Sequence, residues 1–393
     1  MARLIPSHAR LDAPAVLASS CERACYIETG QRFELLEACK GLAACIIVGH
    51  HFCEYSPHSD VADQFAPSLM YGIYNYGLFV VHMFFVFGGF AIAIAMPDHP
   101  ISWKKSVWTF VLRYLRLAPP YFAMLLCLVG ASWSMLSQGM NPPLIDSFSW
   151  WQLLAHVFFL QDVFGYGNLS AGTWYICIDL QYACLFLLVQ STLHTLEKSF
   201  RRGIFGPTAM SVILFPLGIV ATWYWSRELA YDVYVFYFLG SLIFGTLVGW
   251  TLQGRIPLWV FLLYAFAMTT SLFVEFRPRI LVALGSGLII YAVVRFFPKS
   301  SVPIPLLWLG KVSYSLFLIH YLVNGLVLHQ MNSWVGSSPS RAFASMIVAF
   351  MASLLAAAVL YYFVEAPCHR WVQSIRKRTD IKLSSPVSLW FNH

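Results

Sequence analysis

Ten runs of about twenty mostly apolar residues pass along this chain, each long enough to cross the hydrocarbon core of a bilayer as a helix. They lie near 37–53, 72–94, 118–135, 173–192, 207–225, 231–251, 257–274, 279–297, 311–330 and 342–364. Lipid offers the backbone no hydrogen bonds, so a spanning segment of this kind has to be helical. Composition agrees: 59% of the 393 residues are hydrophobic and 11% are charged, against roughly 25% charged in a soluble domain. So little polar surface cannot cover a water-soluble fold of this length. The 14 Trp and 20 Tyr suit interfacial belts. The implied fold class is an all-α polytopic membrane helix bundle with about ten transmembrane helices.

Two further stretches are apolar but interrupted. Residues 101–117 mix Trp, Phe and Leu with four basic residues and read as an interfacial amphipathic helix, with Pro119-Pro120 opening the next span. Residues 149–164 are short for a span and read as a re-entrant or interfacial segment. The distribution of Lys and Arg sets the orientation. With both termini cytoplasmic, 21 of the 25 basic residues fall inside, and only Arg227, Arg277, Arg279 and Arg341 fall outside. The net charge of +7 is therefore a topology signal and does not point to nucleic acid. A cytoplasmic arm (1–32), a membrane domain (33–371) and a basic cytoplasmic tail (372–393) follow, in a multi-pass protein of the inner or plasma membrane. No cleavable signal peptide is legible in residues 1–32, so the first span is expected to direct insertion. Cys21 and Cys25 have no second Cys/His pair nearby, and no metal site is expected. The Gly240, Gly245, Gly249 series and Gly285 with Gly287 suit close helix packing.

Ionisable side chains within spans are costly and mark candidate chemistry. Lys40 and His51 are eleven residues apart, nearly three helical turns, so both fall on one stripe of the first span. That stripe can face a polar pore, or Lys40 can snorkel while His51 bonds a carbonyl at the outer interface. Asp179 lies five residues past Trp174, which is taken to mark the outer belt, so it is expected near the depth of His51. A carboxylate there can fix the imidazole tautomer, or it can cap backbone at a helix break. Arg113 and Arg116 share a helix face and can fork onto phosphates or onto anionic lipid headgroups.

Six strings in order resemble one known family. They are RFELLEACKGLAACIIVGHH (32–51), FFVFGGFAI (84–92), RYLRLAPPYF (113–122), WYICIDLQYACLFLL (174–188), LGKVSYSLFLIHYLV (309–323) and YYFVEAPCHRW (361–371). Together they resemble the acyltransferase-3 family of integral membrane acyltransferases, which includes O-acetylases of surface polysaccharides and nose-resistant-to-fluoxetine-like proteins. Here Lys40 replaces the commoner Arg, Glu37 the usual Asp, Asp179 the commoner Glu and Gly88 a Ser, while His82 stands where an acidic residue is frequent. The resemblance implies acyl transfer from cytoplasmic acyl-CoA, expected as acetyl-CoA, to a hydroxyl of a carbohydrate or lipid-linked acceptor in the cell envelope.

In that reading His51 is the general base, or forms an acyl-histidine, and Asp179 orients it. Lys40, Arg113 and Arg116 bind acyl-CoA, a co-substrate; no bound cofactor is expected. Glu37, His82, Trp174, Gln181, His320 and Glu365 are pore-lining or structural. Membrane lipids surround the chain, and a two-step relay needs a separate extracytoplasmic partner protein. A proton-coupled transporter or flippase of the same topology, and a structural or sensory protein whose polar residues only lock helices, are the competing readings.

Overall fold

The structure, a computed structural model, describes residues 33–97, 99–139, 148–200, 206–297 and 301–378. The helices are α1 (Glu34–Tyr55), α2 (Ser59–Asp63), α3 (Pro67–Tyr76), α4 (Val81–Ala95), α5 (Trp103–Ser137), α6 (Trp150–Val157) and α7 (Thr173–Phe200). They continue with α8 (Pro207–Trp223), α9 (Val235–Leu252), α10 (Leu258–Val274), α11 (Pro278–Phe296), α12 (Ile304–Val335), α13 (Pro339–Leu360) and α14 (Ala366–Arg378). There is no strand among the described residues. Nine helical stretches there are long and apolar enough to cross a membrane, and α10 adds a shorter apolar helix of 17 residues. The chain is therefore a polytopic all-α membrane protein. Leu126, Val212, Phe273 and Leu355 stand exposed on the outside of the bundle, as lipid-facing side chains should. Cys21, Cys25, Arg201, Arg202, Lys299, Lys382, the arm 1–32 and the tail beyond 378 lie outside the described residues.

The expected break between residues 117 and 118 does not exist. α5 runs unbroken for 35 residues with Pro119 and Pro120 in its interior, so 101–117 is the first half of a long helix. Each proline removes a backbone donor and orphans the carbonyl four residues earlier, here Leu115 and Arg116. The Cys368 thiol on α14 lies 3.1 Å from the Leu115 oxygen and 3.9 Å from that of Arg116. The Tyr314 hydroxyl on α12 donates to the next carbonyl, Leu117, at 2.9 Å. The Cys368 thiol thus serves the freed carbonyls and Tyr314 adds a tie to the carbonyl beside them, the kind of side-chain support that proline inside a spanning helix needs. The stretch 149–164 forms the short α6 and the start of a loop whose Phe159, Gln161, Leu169 and Ser170 are buried.

Two large apolar cores fill the bundle. One packs α4, α7, α8, α9, α10 and α11, with Phe33 and Leu36 at the start of α1. The other packs the rest of α1 with α5, α12 and α13 and one side of α7. Glycines let backbones meet inside each core. A Cβ on Gly245 of α9 would overlap the Val86 carbonyl of α4, and one on Gly89 of α4 the Leu242 carbonyl of α9. Gly41 of α1 and Gly310 of α12 meet in the same way. Because Gly41 adjoins Gly310 while His51 adjoins His320, α1 and α12 run parallel. The seam between the two cores holds the polar residues that follow.

Candidate functional site

A cavity of about 160 Å³ opens along that seam. Its polar lining is Lys40 from α1, Arg113 and Arg116 from α5, Asp179 and Tyr175 from α7, and Ser313 and Tyr314 from α12. Phe84, Phe87 and Gly88 of α4 close the apolar side. Arg113 clamps Asp179 as a fork. Its Nη2 donates to Oδ1 at 2.5 Å and to Oδ2 at 2.7 Å, and its Nε donates to Oδ2 at 3.1 Å. A planar guanidinium against a planar carboxylate fixes both side chains and ties α5 to α7. Gly88 leaves room beside the pair: a Cβ there would lie 3.5 Å from Asp179 Oδ1.

Around the clamp, each remaining charge has a local partner. Lys40 reaches Glu37 one turn earlier at 2.9 Å. Arg116 Nε donates to His369 Nε2 of α14 at 3.2 Å. Glu365, buried on the single π-helical turn Tyr361–Glu365, accepts from the Ser315 hydroxyl at 2.6 Å. Such π-bulges often accompany functional sites because they re-aim side chains.

At the other end of α1, His51 Nδ1 lies 2.8 Å from His320 Nε2, with the rings stacked at 5.0 Å and 17°. His320 Nδ1 lies 3.2 Å from the Leu316 carbonyl oxygen. A carbonyl only accepts, so Nδ1 of a neutral His320 carries the proton and its Nε2 accepts. The proton between the rings then belongs to His51 Nδ1. That leaves a lone pair on His51 Nε2, which has no hydrogen-bond partner among the described residues. A backbone oxygen, one imidazole and a second imidazole thus form a line that fixes the tautomer of the last member. The Phe317 ring lines the seam cavity and sits 6.3 Å from the His320 ring, so the pair stands just beyond the cavity's end.

This arrangement corrects the expected pairing of His51 with Asp179. Asp179 lies beside Gly88 of α4, whereas His50 lies beside Gly77, eleven residues earlier along the same strand of chain. Eleven residues of helix rise about 16 Å, so Asp179 sits near the level of Lys40. The reason is that Trp174 does not mark an outer belt. It packs inside the bundle, 6.2 Å from the Phe85 ring and 5.5 Å from the Phe238 ring. The loop before α7 buries Leu169 and Ser170 directly ahead of the helix, so the start of α7 lies inward.

The other candidates separate into two kinds. Gln181 is structural: its Oε1 accepts from the Val235 N–H at 2.8 Å and its Nε2 donates to the Val233 oxygen at 3.2 Å, which caps α9. His82 Nδ1 bridges to Ser241 Oγ at 3.0 Å across the α4–α9 contact. Both His82 and Trp174 also line a second cavity, described below. Sequence reasoning passed over Tyr314, Cys368, Asp162 and Asp232. Tyr314 stood inside the quoted string at 309–323 and Cys368 inside that at 361–371, so a signal was there to follow. The two aspartates sit in loops with no flanking pattern.

Comparison with known proteins gives one match. The acyltransferase-3 family model, an acyltransferase domain, matches residues 33–363. No curated protein and no solved structure matches significantly.

Proposed function

This chain belongs to the acyltransferase-3 family and is a multi-pass membrane acyltransferase, and from that premise we propose that it moves an acetyl group from acyl-CoA to a hydroxyl of a surface carbohydrate or lipid-linked acceptor. The observation that carries the reading is the ordered His51–His320 pair at the end of a cationic cavity. His51 Nε2 takes the proton of the acceptor hydroxyl. The acceptor oxygen bonds to the thioester carbonyl carbon, the C–S bond breaks, and the proton passes from the imidazolium to the departing CoA sulfur. His320 holds the tautomer throughout. Lys40, Arg113 and Arg116 supply donors and charge for the CoA phosphates, and the apolar wall of Phe84, Phe87 and Phe317 suits the pantetheine arm. Asp179 holds Arg113 in place and does not orient the base.

In this reading the Lys40 end faces the cytoplasm, where acyl-CoA is made. The His51 end faces the acceptor, in an inner or plasma membrane, and any later relay falls to a separate extracytoplasmic protein. The test uses the full chain in lipid nanodiscs with radiolabelled acetyl-CoA and extracted surface glycans. His51→Ala should keep acetyl-CoA binding and lose label transfer by about 10²–10⁴-fold, the range of one general base. Transfer at the wild-type rate would remove His51 from the reaction.

A further inference from the structure

A second cavity, of about 410 Å³, lies at the start of α4, toward the His51 end of the bundle. Its volume falls within the roughly 300–1,000 Å³ of small-molecule sites. It is lined by His82 of α4, Asp162 and Asn168 of the loop before α7, Trp174 of α7, and Asp232, Tyr237 and Arg279 around the α8–α9 and α10–α11 connections.

Three features make it a built site. Asp162 is held in position: the Asn168 amide donates to its Oδ1 at 2.5 Å, and Asn168 Oδ1 in turn accepts from Gln161 at 3.0 Å and Thr173 at 2.7 Å. Charges face the space without neutralising one another. Among the described residues neither Asp162 nor Asp232 has an ion-pair partner, and Arg279 donates to the Tyr237 hydroxyl and the Ser226 carbonyl. Finally, His82 is 4% exposed and lines the cavity, with only its Nδ1 side engaged, by Ser241.

We infer that this cavity binds a polyhydroxylated acceptor, a sugar ring or short glycan, with Asp162 and Asp232 accepting its hydroxyls and Trp174 lying against its C–H face. The inference rests on the acyl-transfer reading for its role, and on the cavity for its chemistry. Carboxylates are acceptors only, with two oxygens each, and suit vicinal hydroxyls. Arg279 and His82 supply the opposite polarity for ring and substituent oxygens. An acyl chain would desolvate both carboxylates without replacing their hydrogen bonds. A phosphate would meet two negative charges for one guanidinium. A hard cation needs more oxygen ligands than these two side chains offer, and it would face Arg279.

The two cavities also share a wall. Tyr175 faces the seam and its neighbour Trp174 faces the second cavity, with the Phe85 ring 4.9 Å from the first and 6.2 Å from the second. Donor and acceptor thus occupy adjoining compartments of one bundle.

The experiment presents the full chain in nanodiscs to an array of immobilised oligosaccharides ending in hexose, N-acetylhexosamine or uronic acid. Radiolabelled acetyl-CoA binding is measured in parallel. Wild-type chain should be retained on a subset of glycans, and Asp232→Asn and Trp174→Phe should each lower retention at least tenfold while acetyl-CoA binding stays within twofold. No retention by wild type, or retention by both variants equal to that of wild type, overturns the inference. Glycan retention that follows the variants in a chain that binds no acetyl-CoA would keep the sugar site and sink the acyl-transfer reading instead.

Discussion

The seam cavity sets three cationic side chains, Lys40, Arg113 and Arg116, beside one carboxylate, Asp179, whereas the cavity at the start of α4 sets two carboxylates, Asp162 and Asp232, beside one guanidinium, Arg279. The first has about 160 Å³ and walls drawn from five spanning helices; the second has about 410 Å³ and walls drawn largely from loops and helix ends. The contrast in sign matches two unlike ligands, a polyanionic donor and an uncharged hydroxylated acceptor. The contrast in construction matters equally. A charge held deep between helices is fixed by a bidentate partner, while a charge at a helix end is fixed by a loop network such as Gln161–Asn168–Asp162.

The Arg113–Asp179 clamp gives the largest expected effect. Arg113→Ala leaves a buried carboxylate without its partner, which costs about 3–5 kcal/mol. Thermal unfolding in nanodiscs should show the loss, and Asp179→Asn added to Arg113→Ala should recover much of it. Asp232→Asn, at the looser cavity, should move the unfolding midpoint far less. Equal shifts for both sites would erase the distinction between a clamped and a loop-held charge.

Next in size is His320. Replacing it with Leu removes the acceptor that keeps the proton on His51 Nδ1, an interaction of about 1–1.5 kcal/mol. Turnover should fall about tenfold with the KM for acetyl-CoA unchanged, because His320 lies outside the lining of the seam cavity. A raised KM with unchanged turnover would assign His320 to donor binding and not to the base.

Much of this was legible in the sequence and some of it could not be. Hydropathy located the helices because lipid permits nothing else. The eleven-residue spacing of Lys40 and His51 placed them at opposite ends of one helix, as found. Glycine spacing in α9 pointed to close helix packing there, and the structure supplies the partner for Gly245 and Gly249, α4. Depth was misread at Trp174: an indole at a helix start looks the same whether it meets lipid headgroups or, as here, Phe85 and Phe238. That single error moved Asp179 outward by about three turns and paired it with the wrong residue. His320 was singled out without a partner, because parallel packing of α1 on α12 is a tertiary fact. The continuity of α5 was hidden because Pro-Pro reads as a boundary until Cys368 is seen to serve the freed carbonyls and Tyr314 the one beside them.

That proline segment carries the wall of the seam cavity, since Arg113, Arg116 and Leu117 precede it directly. Cys368→Ala removes the thiol that faces the Leu115 and Arg116 carbonyls and should cost about 1 kcal/mol. The same substitution should raise the KM for acetyl-CoA modestly while glycan retention holds. A loss of glycan retention with donor binding intact would mean that α5 supports the second cavity as well.

The smallest effect separates the cavities by pH. Burial pushes the Asp162 carboxyl up to about 6; the Asn168 amide opposes the rise and the Asp232 charge adds to it. Burial also raises Asp232, opposed by the Val233 N–H. With a value of about 6, Asp162 is about one-tenth ionised at pH 5 and about nine-tenths at pH 7. Protonation turns one oxygen into a donor and removes the charge that strengthens the accepted bonds, so glycan retention should rise a few-fold over that interval. The sign for stability is opposite. A folded value above the ordinary 3.8 gives stability that is present below 3.8 and lost as pH rises through about 6. Binding and unfolding therefore have to move in contrary directions in the same titration. Asp162→Asn should flatten both, with Asp232, Arg279 and His82 still facing the cavity. Were the rise in retention to persist in Asp162→Asn, Asp232 or His82 would be its source, since a guanidinium stays charged throughout that interval, and Asp162 would serve only to hold the loop.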